Sequence, residues 1–189
     1  MEVLFHFIFE LIKISILGCI YATLTLLTFK IIGHYKPDSW FDKISKKKLR
    51  LWFLSGLIIS VGLFLFMFTY FGDHGLGDSA RVPVGNFQVV HQINGNDAYI
   101  QNSKGDQLGI TNFTFDSDNL YAETQGDFNG EAGDYVIWNL KTDNWTFYKT
   151  KDDYIKVAKQ NNYPQPDKFE DFWKFYRRHW SGWRFWLLP

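Results

Sequence analysis

Cysteine is almost missing from this 189-residue chain, and the single Cys19 excludes an internal disulfide framework, a zinc ribbon and a C-x-x-C redox pair. Net charge is missing as well, because 20 basic and 20 acidic side chains cancel. With 46% apolar residues, the chain lacks the apolar poverty and charge excess that keep a polypeptide disordered. It also has no G-x-S-x-G nucleophile elbow, no H-E-x-x-H and no G-x-x-x-x-G-K-[ST] phosphate loop.

The charges and apolar residues that are present lie in separate blocks. Leu51 to Phe71 form 21 consecutive residues without a formal charge. At 1.5 Å per residue they cover roughly 30 Å, the thickness of a bilayer hydrocarbon core. Trp52, Phe53, Tyr70 and Phe71 at its ends suit the two interfacial belts. A second uncharged run, Ile14 to Phe29, extends to Gly33 if Lys30 snorkels toward the headgroups. Its helix is expected to begin near Val3, because Leu4, Phe5, Phe7, Ile8, Leu11 and Ile12 continue the apolar pattern among Glu2, His6, Glu10 and Lys13. Ile16-Leu17-Gly18-Cys19 has the letters of a lipoprotein box, but only five uncharged residues separate Lys13 from Cys19, so Cys19 reads as a small residue within the span.

Between the runs, residues 34–50 carry Lys36, Lys43, Lys46, Lys47, Lys48 and Arg50 against Asp38 and Asp42. Short basic loops stay cytoplasmic, so both ends of the chain are expected on the other side of a membrane, the bacterial inner membrane being the reading adopted. The alternative for Lys46 to Lys48, a nuclear-localisation or nucleic-acid patch, fits a loop between two spans less well.

The organisation read from the sequence is a first transmembrane helix at 1–33, a basic cytoplasmic loop at 34–50, a second transmembrane helix at 51–72, a juxtamembrane linker at 73–85 and an extracytoplasmic domain at 86–189. Asp73 to Tyr135 hold ten acids against Arg81 and Lys104, a net of −8, which disfavours nucleic acid as a partner of this part. From Val136 onward the net is +4.

Six aromatic and β-branched runs, at 87–93, 98–102, 107–115, 120–125, 135–140 and 145–149, alternate with clusters of Asn, Asp, Gly, Ser and Lys. That pattern predicts an antiparallel β-meander of about six strands. Thr150 with Asp153 offers a capping box for a helix over 151–162, and Asp167 with Glu170 offers a second for a helix over 168–180. The fold class expected is α+β: a two-helix transmembrane hairpin, a small meander and two C-terminal helices.

From Phe169 to Leu188, nine of twenty residues are aromatic, and 169, 172, 173, 176, 180, 183 and 187 recur at helical spacing. This stripe can pack on the open sheet face as core, lie on the outer leaflet with Arg or Lys reaching phosphates, or anchor a partner protein. The residues taken as a partner- or membrane-binding set are Trp173, Tyr176, Arg177, Trp180, Trp183, Arg184 and Trp186.

Candidates for chemistry are poor by comparison. Asp73, His74, Asp78 and Ser79 supply the residue types of a triad, but within a glycine-rich stretch that does not hold nucleophile geometry. Asp127, Asn129, Glu131 and Asp134 form an oxygen-rich loop whose spacing fails the EF-hand pattern and reads as a solvated acidic turn. His91 and His179 lack a second histidine at ligand spacing. No cofactor and no metal are therefore expected, and no catalytic set. The function expected is a membrane-anchored, non-enzymatic interaction module, an accessory subunit of a larger envelope complex, with the lipid bilayer and other envelope proteins as partners. An immunity protein that neutralises an envelope-targeting toxin is the first alternative. A lipid- or wall-directed enzyme using Asp73, His74 and Asp78 is the second.

Overall fold

A computed structural model describes residues 2–72, 79–95, 97–125 and 133–189, with side chains from residue 4 onward. The chain is α+β and divides into two compact units, Met1–Gly77 with Gly182–Pro189, and Asp78–Ser181.

The first unit is helical. Helix α1 (Glu2–Tyr35) and helix α3 (Lys48–Met67) pack antiparallel, joined by a turn that holds the short helix α2 (Trp40–Ser45). Both long helices have the length and apolar content to cross a membrane. They approach closely because small residues meet at the crossing. A Cβ added at Gly18 would overlap the Ser60 hydroxyl, and one at Gly56 would stand 3.4 Å from Ala22 Cβ. Trp52 Nε1 donates to Thr23 Oγ1 across the pair at 3.0 Å. At the other end Gly33 lets α2 close in, since a Cβ there would lie 2.9 Å from Asp42 Cα. Phe29 packs against Phe41 and Trp40, with centroids at 5.1 and 5.7 Å. Ser39 caps α2 by accepting from Asp42 N–H, and Lys46 donates to Asp42 Oδ2 at 2.8 Å. That Lys46 hydrogen bond, above all, holds the half-buried Asp42 carboxyl below its usual range.

The second unit is an antiparallel meander of seven strands in sequence order: β1 (Ser79–Gly85), β2 (Gln88–Ile93), β3 (Asp97–Gln101), β4 (Gln107–Phe115), β5 (Asn119–Thr124), β6 (Tyr135–Asn139) and β7 (Asn144–Tyr148). The expected count of six missed β1, whose residues were assigned to the linker. Ala80, Val82 and Val84 alternate toward the core, and Pro83 is tolerated because β1 is an edge strand. Its connection to β2 runs through Asn86 and Phe87, both at positive φ, a primed hairpin turn.

Helix α4 (Lys151–Asn161) starts where the sequence puts it, with Thr150 Oγ1 accepting from Asp153 N–H. The next helix does not. Residues 166–168 form a 3₁₀ turn, Glu170–Asp171 pair with Asn112 and Phe113 as strand β8, and helix α5 (Phe172–Trp180) is capped by Asp171 rather than Asp167. The cause is length mismatch. β3 covers β4 only as far as Ile110, so the nine-residue β4 leaves an edge at 112–113 that β8 completes. Ser181 then ends α5, Gly182 turns the chain at φ +67, and helix α6 (Trp183–Leu187) belongs to the helical unit.

One sheet face buries Val90, Ile100, Ile110, Phe113, Leu120 and Trp138 beneath Phe172 and Phe175 of α5, with Phe113 stacked on Phe175 at 4.5 Å. On the opposite face Tyr121, Tyr135 and Ile137 pack against Tyr154 and Ala158 of α4.

Candidate contact surfaces

The aromatic stripe expected on one helix is split between the two units. In the sheet unit, Trp180 is buried at 8% exposure and donates from Nε1 to the Arg81 carbonyl at 2.9 Å, which pins α5 to β1. Tyr176 is half-buried against the core and stacks on Phe172. Trp173 is exposed at the helix flank, with Nε1 donating to the Gly95 carbonyl at 3.2 Å, and Arg177 is exposed. Four of the seven expected contact residues are thus on α5, and two of those, Tyr176 and Trp180, serve packing. Trp183, Arg184 and Trp186 stand together on α6 in the helical unit.

In that unit the tail lies along α1. Tyr21 OH donates to the Leu187 carbonyl at 2.6 Å, and Lys13 Nζ sits 4.9 Å from the Phe185 ring centroid. Arg184 lies 5.1 Å over Trp183, while Trp183 and Trp186 remain 60% and 72% exposed. Leu188 N–H closes the turn on the Arg184 carbonyl at 2.9 Å. Between α1 and α3, beside the tail, runs an open groove of about 730 Å³ walled by Leu24, Phe29, Ile59, Leu63, Phe66 and Leu188. Ile8, Ile12, Ile16, Ile20, Leu24, Leu27 and Ile31 of α1 and Phe53, Leu57, Ile58, Val61 and Leu65 of α3 are exposed. On α1 the hydroxyls of Ser15, Thr23, Thr25 and Thr28 are already engaged, each donating to the carbonyl four residues back. Cys19 is exposed on α1. Glu10 is buried with Oε1 3.6 Å from His6 Nε2 and Oε2 without a hydrogen bond.

In the sheet unit the titratable groups are held by packing. Tyr135 is pushed up to about 12 by burial and then by its hydrogen bond to Glu123 Oε1. Burial raises Tyr121, which donates to Asp116 Oδ2, and also Tyr148 and Tyr154. Burial alone would raise Asp143. Hydrogen bonds from Ser103 and Trp138 Nε1 outweigh it and lower the carboxyl.

Asp73, His74, Asp78, Asp127, Asn129 and Glu131 lie outside the described residues. Ser79 opens β1 and Asp134 precedes β6. His91 stacks on Tyr99 at 5.1 Å, and His179 packs edge-on against Trp180 at 4.5 Å. Among the described residues, no three His, Cys, Asp or Glu side chains gather as a metal site.

Sequence reasoning missed two features of these surfaces. Phe87, at the tip of the β1–β2 hairpin, is 77% exposed with φ +61, a conformation unfavourable for a bulky side chain. Its neighbour Asn86 was the available signal. The docking of the tail on Lys13 and Tyr21 had no local signal. No family model matches this chain, and neither does any curated protein or solved structure.

Proposed function

We propose that this chain is a membrane-anchored, non-enzymatic interaction module, an accessory subunit of a larger envelope membrane complex. The hairpin α1–α3 spans the bacterial inner membrane, the basic residues around α2 face the cytoplasm, and the sheet unit stands on the outer side. The basic loop supports this orientation, since Lys and Arg next to apolar spans are retained on the cytoplasmic side. The exposed apolar surface on both long helices supports the membrane setting, because a contiguous patch of that size is costly in water.

The observation that carries the interaction reading is α6. Its Trp183 and Trp186 rings point outward beside Arg184, while the backbone beneath is tied to α1 by Tyr21. Tryptophan and arginine are enriched among the residues that dominate the energetics of interfaces. The test is purification of the tagged full-length chain from its native membrane in mild detergent, beside a Trp183→Ala/Trp186→Ala variant. The wild type is expected to elute with a defined set of envelope proteins in fixed ratio, and the variant to lose them with its circular dichroism unchanged. A wild-type chain that elutes alone would contradict the reading.

A further inference from the structure

We propose that the hairpin and the C-terminal tail together bind one anionic glycerophospholipid, with an acyl chain in the groove between α1 and α3 and the phosphate at Lys13 and Arg184. The inference rests on the membrane setting proposed above and adds a specific ligand to it.

The groove selects an apolar occupant because its polar atoms are spent. Tyr21 OH is given to the Leu187 carbonyl, and Thr25 and Thr28 are given to the carbonyls of Tyr21 and Leu24. A polar ligand lying there would lose its water and gain no partner. Gly62 opens the α3 wall, with no atom within 4 Å of where its Cβ would stand. A second copy of the hairpin fits less well. Close helix pairing uses small residues, and in this chain Gly18, Ala22, Gly56 and Ser60 are already consumed within the hairpin, whereas the groove is walled by Phe29 and Phe66.

Charge supplies the headgroup end. Gly18 stands opposite Ser60 and Ala22 opposite Gly56, so continuing that antiparallel register brings Lys13 level with Leu65 and Phe66, at one end of the groove. Lys13 is also the last charge before the uncharged run Ile14 to Phe29, the position at which a helix leaves the interface. It is held against Phe185, whose neighbour in the tail is Arg184, so the tail brings a second basic residue within one position of the Lys13 contact. Glu10, one turn earlier, is buried beside His6. A phosphate near such cations gains favourable energy from each one.

The test uses the full-length chain, stripped of lipid in mild detergent and titrated with palmitoyl-oleoyl phosphatidylglycerol, the matching phosphatidylcholine, or oleate, with bound lipid counted by native mass spectrometry. The wild type is expected to retain one phosphatidylglycerol, with about tenfold preference over phosphatidylcholine. Gly62→Phe, which fills the groove, should weaken both lipids at least tenfold, whereas the outward Val61→Phe should leave them unchanged. The pair Lys13→Gln/Arg184→Gln should abolish the preference and keep the chain-dependent binding. Unaltered binding in Gly62→Phe would overturn the groove assignment, and oleate binding as tightly as phosphatidylglycerol would overturn the phosphate assignment. Release of the chain from membranes by alkaline carbonate would overturn the membrane setting itself. Retention in carbonate-washed membranes without any bound lipid would overturn only the lipid site.

Discussion

Replacing Trp180 with phenylalanine removes the indole N–H that the Arg81 carbonyl accepts in a buried position. The expected loss is about 1–3 kcal/mol, and Trp180→Ala, which also opens a cavity, should cost about 3–5 kcal/mol. Trp186→Phe, at a ring 72% exposed, should change stability by less than about 0.5 kcal/mol. Urea unfolding of the detergent-solubilised chain, followed by near-ultraviolet circular dichroism, separates the two positions. The residue types in the tail were legible in the sequence, but their division of labour was not. Helical spacing puts Trp180 and Trp183 on one stripe, and only the turn at Gly182, with φ +67, sends them to different units. Glycine permits such a turn but does not announce it. The tyrosines give a second prediction at this scale. Tyr121, Tyr135 and Tyr154 hold their phenolic protons more tightly in the fold than in the unfolded chain, where the ordinary value is near 10. Their contribution to stability is therefore complete below pH 10 and is lost as pH rises toward the Tyr135 value of about 12. The urea midpoint should hold steady up to about pH 10 and fall above it. In Tyr121→Phe/Tyr135→Phe the fall should be shallower.

The helical hairpin is decided by a few small side chains. Gly18→Ile would drive a branched side chain into Ser60 and force α1 and α3 apart, whereas Gly62→Ile adds its bulk to open space. In a Cys19→Ser background carrying Ala22→Cys and Gly56→Cys, disulfide formation across the seam should be lost with Gly18→Ile and kept with Gly62→Ile. The hairpin itself was readable, because two uncharged runs flank a basic loop, and the second run offers three small residues: Gly62, whose added Cβ would meet nothing within 4 Å, and the two that do meet α1, Gly56 and Ser60. Their partners Gly18 and Ala22 were not singled out, since spacing along one helix says nothing of what it faces. The strands divide in the same way. β2 to β7 were visible as aromatic and β-branched runs between turn residues, and the capping box at Thr150 fixed the start of α4. β1 was hidden by Pro83, which reads as a break unless the strand is known to lie at an edge, and β8 exists only because β3 ends before β4 does. Both depend on neighbours distant in sequence, which no local pattern encodes.

For the whole molecule, the proposed role requires that the hairpin cross a bilayer with the sheet unit outside. The proposed orientation rests on the six basic residues between the two long helices, and the proposed membrane setting on the exposed apolar surface of α1 and α3. The direct test replaces Cys19 with serine and places a single cysteine at Ser117, in the exposed β4–β5 turn, or at Lys47, exposed between α2 and α3. Intact spheroplasts are then treated with a membrane-impermeant maleimide, before and after lysis. The cysteine at 117 should label in intact spheroplasts, and the one at 47 only after lysis. Labelling of both positions only after lysis, or of 47 alone in intact spheroplasts, would contradict the account.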